Sequence, residues 1–496
     1  MKNKTLLNRV TAGIISLIII FAANDVTVTA DNKEQQSLEK VDDMVQEVMK
    51  KAKIPDISIA VIQGEEIQFL SYGSNAVNED SLFQIGSITK AFTALGILLL
   101  EEEGKLSIND PVSKYIPWYE VKYESKAVDP EQLTIANLIY QTSGFTNDEL
   151  KYPSAVPGIT LEENVRNICG NELTFYPSDQ YAYSNVNYNT LGLLIEIVSG
   201  QSYEAFMTEH ILHPLGLDHT YVNAKEALET DNIVKGSRLS FLRTKDYELP
   251  IAEGTIPAGY MISSTADLGR WLQIQMGQIE VSDQFRRIIE KSHIADRENE
   301  VGDGSHYAGG WFVDAQGNIY HSGGTANYSG KVSMRSDQNN AVVVLTNMNA
   351  SANTNDIADN ILNIIEGKPS TVYQADIWYI FDTIFTVLTF GGSLLILFFV
   401  ICLFRDFRQV KSARRIKTKM DKRKIVLIVI PVLFVLLSIV FIVMIPIIFG
   451  SSWGNLSVWA PASIFWGTGI FTVMSILFLM HSIVVSKYRN EDTLEI

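Results

Sequence analysis

Ser87 and Lys90 stand three residues apart in Phe83-Gln84-Ile85-Gly86-Ser87-Ile88-Thr89-Lys90, at the head of the apolar run Ala91 to Leu100. A loop that delivers a serine to the first turn of a helix places both side chains on one face. A serine hydroxyl is a weak nucleophile until a neighbouring base takes its proton. A lysine one turn away can be that base if burial or nearby charge keeps it neutral, and the helix N-terminus favours negative charge developing beside it. S-x-x-K also occurs at Ser37-Leu38-Glu39-Lys40, in a strongly charged segment, so the spacing alone does not separate a nucleophile from a serine that opens a helix.

Two further clusters raise Ser87 above coincidence. Tyr183-Ser184-Asn185 brings a phenol and an amide. A tyrosine near a lysine ammonium can be held as phenolate or share the lysine's proton. It would then accept the serine proton and later protonate the leaving group. Asn185 would bind a substrate carbonyl. A buried, hydrogen-bonded Tyr183 is the purely structural alternative, and Tyr221-Val222-Asn223 shows that Y-x-N also arises by chance. His321-Ser322-Gly323-Gly324 follows Gly309-Gly310-Trp311 at the end of an expected strand. Its glycines let a substrate lie along the strand edge, where a free backbone N–H helps bind an oxyanion. His321 would hold charge or a hydrogen bond beside the serine, although a lone histidine at a strand end is usually structural.

The elements that must position these groups emerge from periodicity. Leu38, Val41, Val45, Val48 and Ala52 recur at helical spacing and predict a helix over 35–53. Residues 57–62 and 67–72 read as strands around the turn Gly64-Glu65. The helix carrying Ser87 ends near Gly104, and 105–260 reads as mainly helical with Gly, Pro and Asn interruptions. Strands return at 310–313, 318–321, 331–335 and 341–346, before a last helix over 354–366. Strands at both ends around a helical middle give an α+β domain whose antiparallel sheet draws on both termini.

Composition bounds the setting. Residues 1–30 have the three parts of a secretory signal: basic Lys2, Lys4 and Arg9, an apolar core from Ala12 to Ala23, and Val28-Thr29-Ala30 as a small-residue cleavage site. An uncleaved anchor is the alternative, and either version exports the domain beyond it. Lys368-Pro369-Ser370 is a short connector, so the exported domain is expected over 31–370 and a membrane domain over 371–496. Runs at about 378–404, 425–449 and 461–485 each exceed the ~20 residues that cross a bilayer. Asp382, near the start of the first, is expected at the interface, and Trp378, Trp453 and Trp459 sit where an aromatic belt would. Arg405 to Lys424 holds ten Lys and Arg against Asp406 and Asp421, while 450–460 is uncharged. The positive-inside rule then puts that loop and the C-terminal tail in the cytoplasm and the larger domain outside. The chain has net charge −16, of which residues 31–370 carry −23, and so acidic a body argues against nucleic acid as a partner. Two cysteines in different phases and seven scattered histidines give no metal-binding pattern and no disulfide framework, and no cofactor is expected.

In this order, Ser87-Ile88-Thr89-Lys90, Tyr183-Ser184-Asn185 and His321-Ser322-Gly323 resemble the serine β-lactamase-like family of class C β-lactamases, D-alanyl-D-alanine carboxypeptidases and related esterases. Supporting stretches are Gly104 to Val112, Thr134 to Gly144 ending in Gln141-Thr142-Ser143-Gly144, Pro214-Leu215-Gly216-Leu217 and Tyr260 to Thr265. The resemblance spans about 36–366 and implies a β-lactamase/transpeptidase-like fold: an antiparallel sheet flanked by helices, an all-helical region, and the site between them, here followed by three transmembrane helices. It implies that Ser87 is acylated, that Lys90 and Tyr183 form the base system, and that the N–H groups of Ser87 and Gly324 form the oxyanion hole. Asn185, His321, Gly323 and Gly324 would then position substrate. His321 stands where many penicillin-recognising relatives have lysine.

The membrane layout also resembles membrane-bound D-amino peptidases that mature bacterial prodrugs, and staphylococcal penicillin-binding-protein-like membrane proteins. Asn327 matches a substrate-contacting asparagine of the former group, whereas Thr255 and Asn185 depart from it. The expected function is an outward-facing, membrane-anchored serine hydrolase acting through an acyl-enzyme on a peptide, amide or ester bearing a D-residue. The alternatives are a catalytically weak, penicillin-binding-like sensor or wall-binding protein, and a transporter, for which three spans are few and no inverted repeat is visible.

Overall fold

The structure is a computed structural model that describes residues 37–490 apart from 75, 149–157, 250–252, 336–338 and 420–421. The signal-like segment 1–30 lies outside the described residues. Eight antiparallel strands form the main sheet, in the spatial order Glu66–Tyr72, Ile57–Gln63, Asn340–Thr346, Ser329–Arg335, Ile319–Gly324, Phe312–Val313, Ser305–Tyr307 and Glu300–Gly302. Its centre joins an N-terminal strand to a C-terminal one, Ile57 opposite Thr346 and Gln63 opposite Asn340.

Both central strands are continuous apolar runs because both of their faces are covered. Ile57, Ile59, Val61, Val342 and Val344 pack under the helix over 37–52 and the helix Ser351–Ile365, contributed by Val41, Val45, Ile357 and Ile361. Ala60, Ile62, Val343 and Leu345 point the other way, into the large core. The helix Thr89–Glu102 runs through that core and is buried on every side from Thr89 to Leu100, with Phe92 stacked on Trp271 at 4.5 Å. A helix apolar all round belongs at the centre of a domain, and this one carries the serine.

Residues 105–260 depart from the mainly helical expectation. Short helices such as Ile135–Ile139, Leu161–Arg166 and Tyr203–Met207 alternate with long turns, around one substantial helix, Asn185–Ser199. Two hairpins interrupt them, Lys122–Tyr123 with Lys126–Ala127 and Ser237–Ser240 with Arg243–Asp246. The short strands Glu300–Gly302 and Ser305–Tyr307, which extend the sheet, also carry too few residues for a readable alternation.

Among the described residues, three helices, Ile377–Lys411, Lys424–Ile448 and Ala462–Lys487, are long enough to cross a membrane, and an 18-residue stretch of each has a mean hydropathy of 2.7, 3.4 and 2.0 in turn. Large apolar side chains on them face outward, Leu394 at 70 % and Val387 at 66 % exposure; hydrocarbon is the solvent that suits such a surface. The third helix approaches the first closely where Gly467 sits against Phe385 and Gly392 against Ile470. At the far end Arg415–Lys417 pairs with Tyr488–Asn490, and Asp406, almost wholly buried, receives Arg415 and His481 at 2.9 Å each. The connector after residue 366 is strapped along the helix Ser351–Ile365, Asn360 accepting from Thr371 N at 2.6 Å and Asn353 donating to the Gln374 carbonyl at 2.8 Å.

Candidate active site

Ser87 lies in a tight turn, Gly86–Ile88, that runs directly into the helix Thr89–Glu102. The chain can make this turn only with glycine at 86. Its φ is +55°, and a Cβ there would stand 2.2 Å from the Gly324 nitrogen. Gly323 is held as tightly, since a Cβ on it would lie 1.9 Å from the Ile85 carbonyl oxygen. The two glycine motifs therefore exist to let the serine turn and the His321 strand touch backbone to backbone.

That contact has a chemical consequence. Thr325 N donates to Tyr328 O at 2.9 Å across the turn that ends the ladder. Hydrogen-bonding direction alternates along an antiparallel strand, so the preceding N–H, that of Gly324, points away from its neighbour strand and toward Gly86 and Ser87. Ser87 follows Gly86 directly, so a backbone donor faces the turn that carries the serine.

Lys90 has no exposed surface, and among the described residues no ion pair holds it. Its Nζ is 3.1 Å from Ser87 Oγ, 2.7 Å from Asn185 Oδ1 and 2.5 Å from the Ala258 carbonyl oxygen. Burial without a carboxylate pushes its pKa well below the usual lysine value. A neutral amine has two hydrogens and one lone pair. When the amine is neutral, Asn185 Oδ1 and Ala258 O, which can only accept, take its two hydrogens and leave the lone pair for the Ser87 hydroxyl.

Tyr183 forms a hydrogen bond with Ser87, and its ring centroid is 4.8 Å from Lys90 Nζ. Burial drives its pKa upward, with the Ser87 bond only partly opposing. That rise favours the phenol over the phenolate, and as a phenol Tyr183 can donate.

His321 is buried on the same face of its strand as Gly323. Burial, with Lys90 nearby, lowers its pKa to about 3. Its Nδ1 lies 2.6 Å from the Ser322 carbonyl, which can only accept, so Nδ1 carries the hydrogen and Nε2 receives the Tyr307 hydroxyl at 3.2 Å. Phe312, Tyr307 and Tyr183 surround the ring. His321 is thus a neutral group in this pocket of aromatic side chains.

Asn327 is placed differently from the other candidates. Its side chain is buried, Nδ2 donating to the Tyr247 carbonyl at 2.9 Å and Oδ1 accepting from Thr325 at 3.0 Å. It locks the turn after the His321 strand to a neighbouring loop rather than reaching Ser87.

Several supporting groups escape sequence reasoning. The Ala258 carbonyl belongs to the one-turn helix Ile256–Gly259, too short to satisfy it, and backbone atoms leave no trace in a motif. Gln141 explains the Gln141-Thr142-Ser143-Gly144 stretch. Its Oε1 accepts from Ser184 N at 3.0 Å and from Asn187 Nδ2 at 2.6 Å, and so pins the loop that presents Tyr183 and Asn185. Tyr307, the partner of His321, has one signal that could have found it: it stands just before Gly309-Gly310-Trp311.

Comparisons with known proteins identify the family and the fold. The beta-lactamase family profile matches residues 41–365. The chain is 32 % identical over 330 residues to Protein flp of Staphylococcus aureus (strain MW2), a match covering 63 % of this chain and 64 % of that protein's length. It is 27 % identical over 292 residues to a beta-lactamase of Providencia stuartii, covering 55 % and 69 %. Among solved structures, the octameric penicillin-binding protein homologue from Pyrococcus abyssi superimposes with a TM-score of 0.59 at 27 % identity over 67 % of this chain and 78 % of that one. A class C beta-lactamase shares the fold, with a TM-score of 0.58 at 20 % identity over 67 % and 98 %. The chain belongs to the beta-lactamase family.

Proposed function

We propose that this protein is a membrane-anchored serine hydrolase that acts outside the cell, through an acyl-enzyme on Ser87, on an amide or ester bearing a D-amino acid. The carrying observation is the buried Lys90 amine, 3.1 Å from Ser87 Oγ with its other two partners both acceptors. Lys90 takes the serine proton as the hydroxyl oxygen bonds to the substrate carbonyl carbon. The N–H groups of Ser87 and Gly324 receive the oxyanion, Tyr183 donates its proton to the departing amine or alkoxide, and Lys90 returns the proton to Tyr183. Water then attacks the acyl carbon as Lys90 takes its proton, the bond from that carbon to Ser87 Oγ breaks, and Lys90 returns the proton to Oγ.

The outward placement is supported by charge. The first membrane helix has 35 residues and so spans about 50 Å. The Arg415–Lys417 and Tyr488–Asn490 ribbon at its far end gathers the basic segments away from the hydrolase domain. The D-configured substrate is supported by the family relationship, and the neutral His321 favours one that presents no carboxylate to that position. A D-alanyl ester and an acyl-D-amino-acid prodrug cleaved on the carboxyl side of its D-residue meet these terms, whereas a wall stem peptide brings a terminal carboxylate and fits them less well.

The full chain, incubated with a fluorophosphonate or an activated D-ester, is expected to be labelled at Ser87 and not at all in Ser87→Ala. Equal labelling of the two would remove the hydrolase reading. His321→Lys is expected to raise kcat/KM for acylation by a penicillin at least about 10-fold, because a new charge-assisted bond meets the carboxylate. An unchanged or lower value would show that His321 does not set carboxylate recognition.

A further inference from the structure

Outside the site, one contact joins the membrane helices to the hydrolase domain in a way that packing alone does not require. The hairpin Ser237–Ser240 and Arg243–Asp246 turns through Phe241 and Leu242, with φ of +54° and +59°. Both central residues of such a two-residue turn sit in the left-handed region, where Asn-Gly is at home and a bulky side chain costs about 1–3 kcal/mol. The support comes from Asp382 of the first membrane helix, which is wholly buried. Its Oδ1 accepts from Phe241 N at 2.9 Å and from Ser463 Oγ at 2.5 Å, and its Oδ2 accepts from Leu242 N at 2.6 Å. Two successive N–H groups aimed at one carboxylate form an anion nest. Around it, Phe241 packs edge-on against Phe390, Lys53 donates to the Leu242 carbonyl, and Arg238 donates to the carbonyls of Ser457 and Val458 in the short helix Trp453–Trp459.

The other end of the hairpin reaches the active site. Ser237 N donates to the carbonyls of Asn327 and Asn347, and Asn327 Nδ2 donates to the carbonyl of Tyr247, just past the hairpin. Asn327 sits in the turn that begins immediately after Gly324. We infer that Asp382 is a positioning residue: through the Phe241-Leu242 turn and Asn327 it fixes the register of the Gly324 N–H in the oxyanion hole, so that full activity requires the membrane helices. This rests on the hydrolase reading, and the experiment separates the two.

The full-length chain in nanodiscs is reacted with a fluorophosphonate, whose phosphonyl oxygen must enter the oxyanion hole. Asp382→Ala is expected to slow labelling of Ser87 about 10-fold or more, from loss of two backbone hydrogen bonds. Adding Phe241→Asn and Leu242→Gly, a turn that needs no carboxylate, is expected to restore the rate to within about twofold. A merely structural role for Asp382 in the membrane bundle would not be rescued by a change of hairpin turn. Wild-type labelling of Asp382→Ala, or failure of the Asn-Gly turn to rescue, overturns the inference. Hydrogen exchange is monitored in parallel at the amides of 241–242 and 324–328. Faster exchange at both in Asp382→Ala supports the coupling even if the wild-type chain proves unreactive, a result that would remove only the hydrolase reading. Unchanged exchange at 324–328 overturns the coupling.

Discussion

Lys90→Met is expected to leave a folded protein that acylates Ser87 on the order of 10³- to 10⁴-fold more slowly, the contribution of a positioned general base. Methionine has nearly the volume of the lysine stem and fills the same buried channel, so the loss would be chemical. The pH dependence provides the check. Lys90 is buried without an anionic partner and its pKa is depressed, so its neutral, basic form persists above that lowered value. The acylation rate should fall as pH drops through it, and His321, at about 3, does not set this limb. Stability moves in a linked way. The unfolded lysine binds a proton up to its ordinary pKa and the folded one does not. Between the two values the unfolded state therefore holds more protons, and the wild type gains about 1.4 kcal/mol per pH unit as pH rises. Lys90→Met lacks this contribution, so it should be more stable than the wild type at neutral pH by a margin that shrinks as pH rises toward the ordinary lysine range. Denaturant unfolding at several pH values reads this out. A margin that does not change with pH would mean that Lys90 is protonated in the folded state and is not the base.

What the sequence revealed and what it hid divide along physical lines. Ser87, Lys90, Tyr183, Asn185, His321, Gly323 and Gly324 are legible because the proposed chemistry asks for particular residue types at fixed spacings; the structure sets Lys90 against Ser87 and Asn185, Tyr183 against Ser87, and the glycines of the His321 strand against Ile85 and Gly86. The central strands are legible because continuous burial on both faces needs unbroken apolar runs. The hairpin 237–246 is hidden for the opposite reason. Its turn carries Phe241 and Leu242, residues with no turn preference, because the stabilising carboxylate comes from position 382, more than a hundred residues away. Asp382 accordingly reads as an interfacial charge in the sequence, whereas it is buried against that turn. Tyr183 is legible as a candidate, but the burial that raises its pKa depends on the packing around it and leaves no mark in the motif. Asn327 shows that motif distance does not decide direction: six residues beyond His321, its amide faces the Tyr247 carbonyl.

Gly323→Ala is expected to abolish acylation almost as completely as loss of the nucleophile, though residue 323 contributes no side chain. The added methyl would stand 1.9 Å from the Ile85 carbonyl oxygen and 2.9 Å from its carbon. Both are backbone atoms in the segment that leads into Ser87, so no rotamer change relieves the clash. The strand and the serine turn must separate, and their separation defines the gap between the Ser87 and Gly324 N–H groups. Loss of one oxyanion donor costs about 10²–10³ in rate, and moving both apart should cost at least as much. Stability should fall by about 1–3 kcal/mol, as for other forced insertions into a packed interior. Substrate affinity should change far less than kcat, because the oxyanion exists only along the reaction path. Pre-steady-state acylation beside thermal unfolding tests the point. A variant that unfolds like the wild type and acylates within about threefold of it would show that this backbone contact does not set the oxyanion geometry, and the placement of Gly324 as a donor would fall with it.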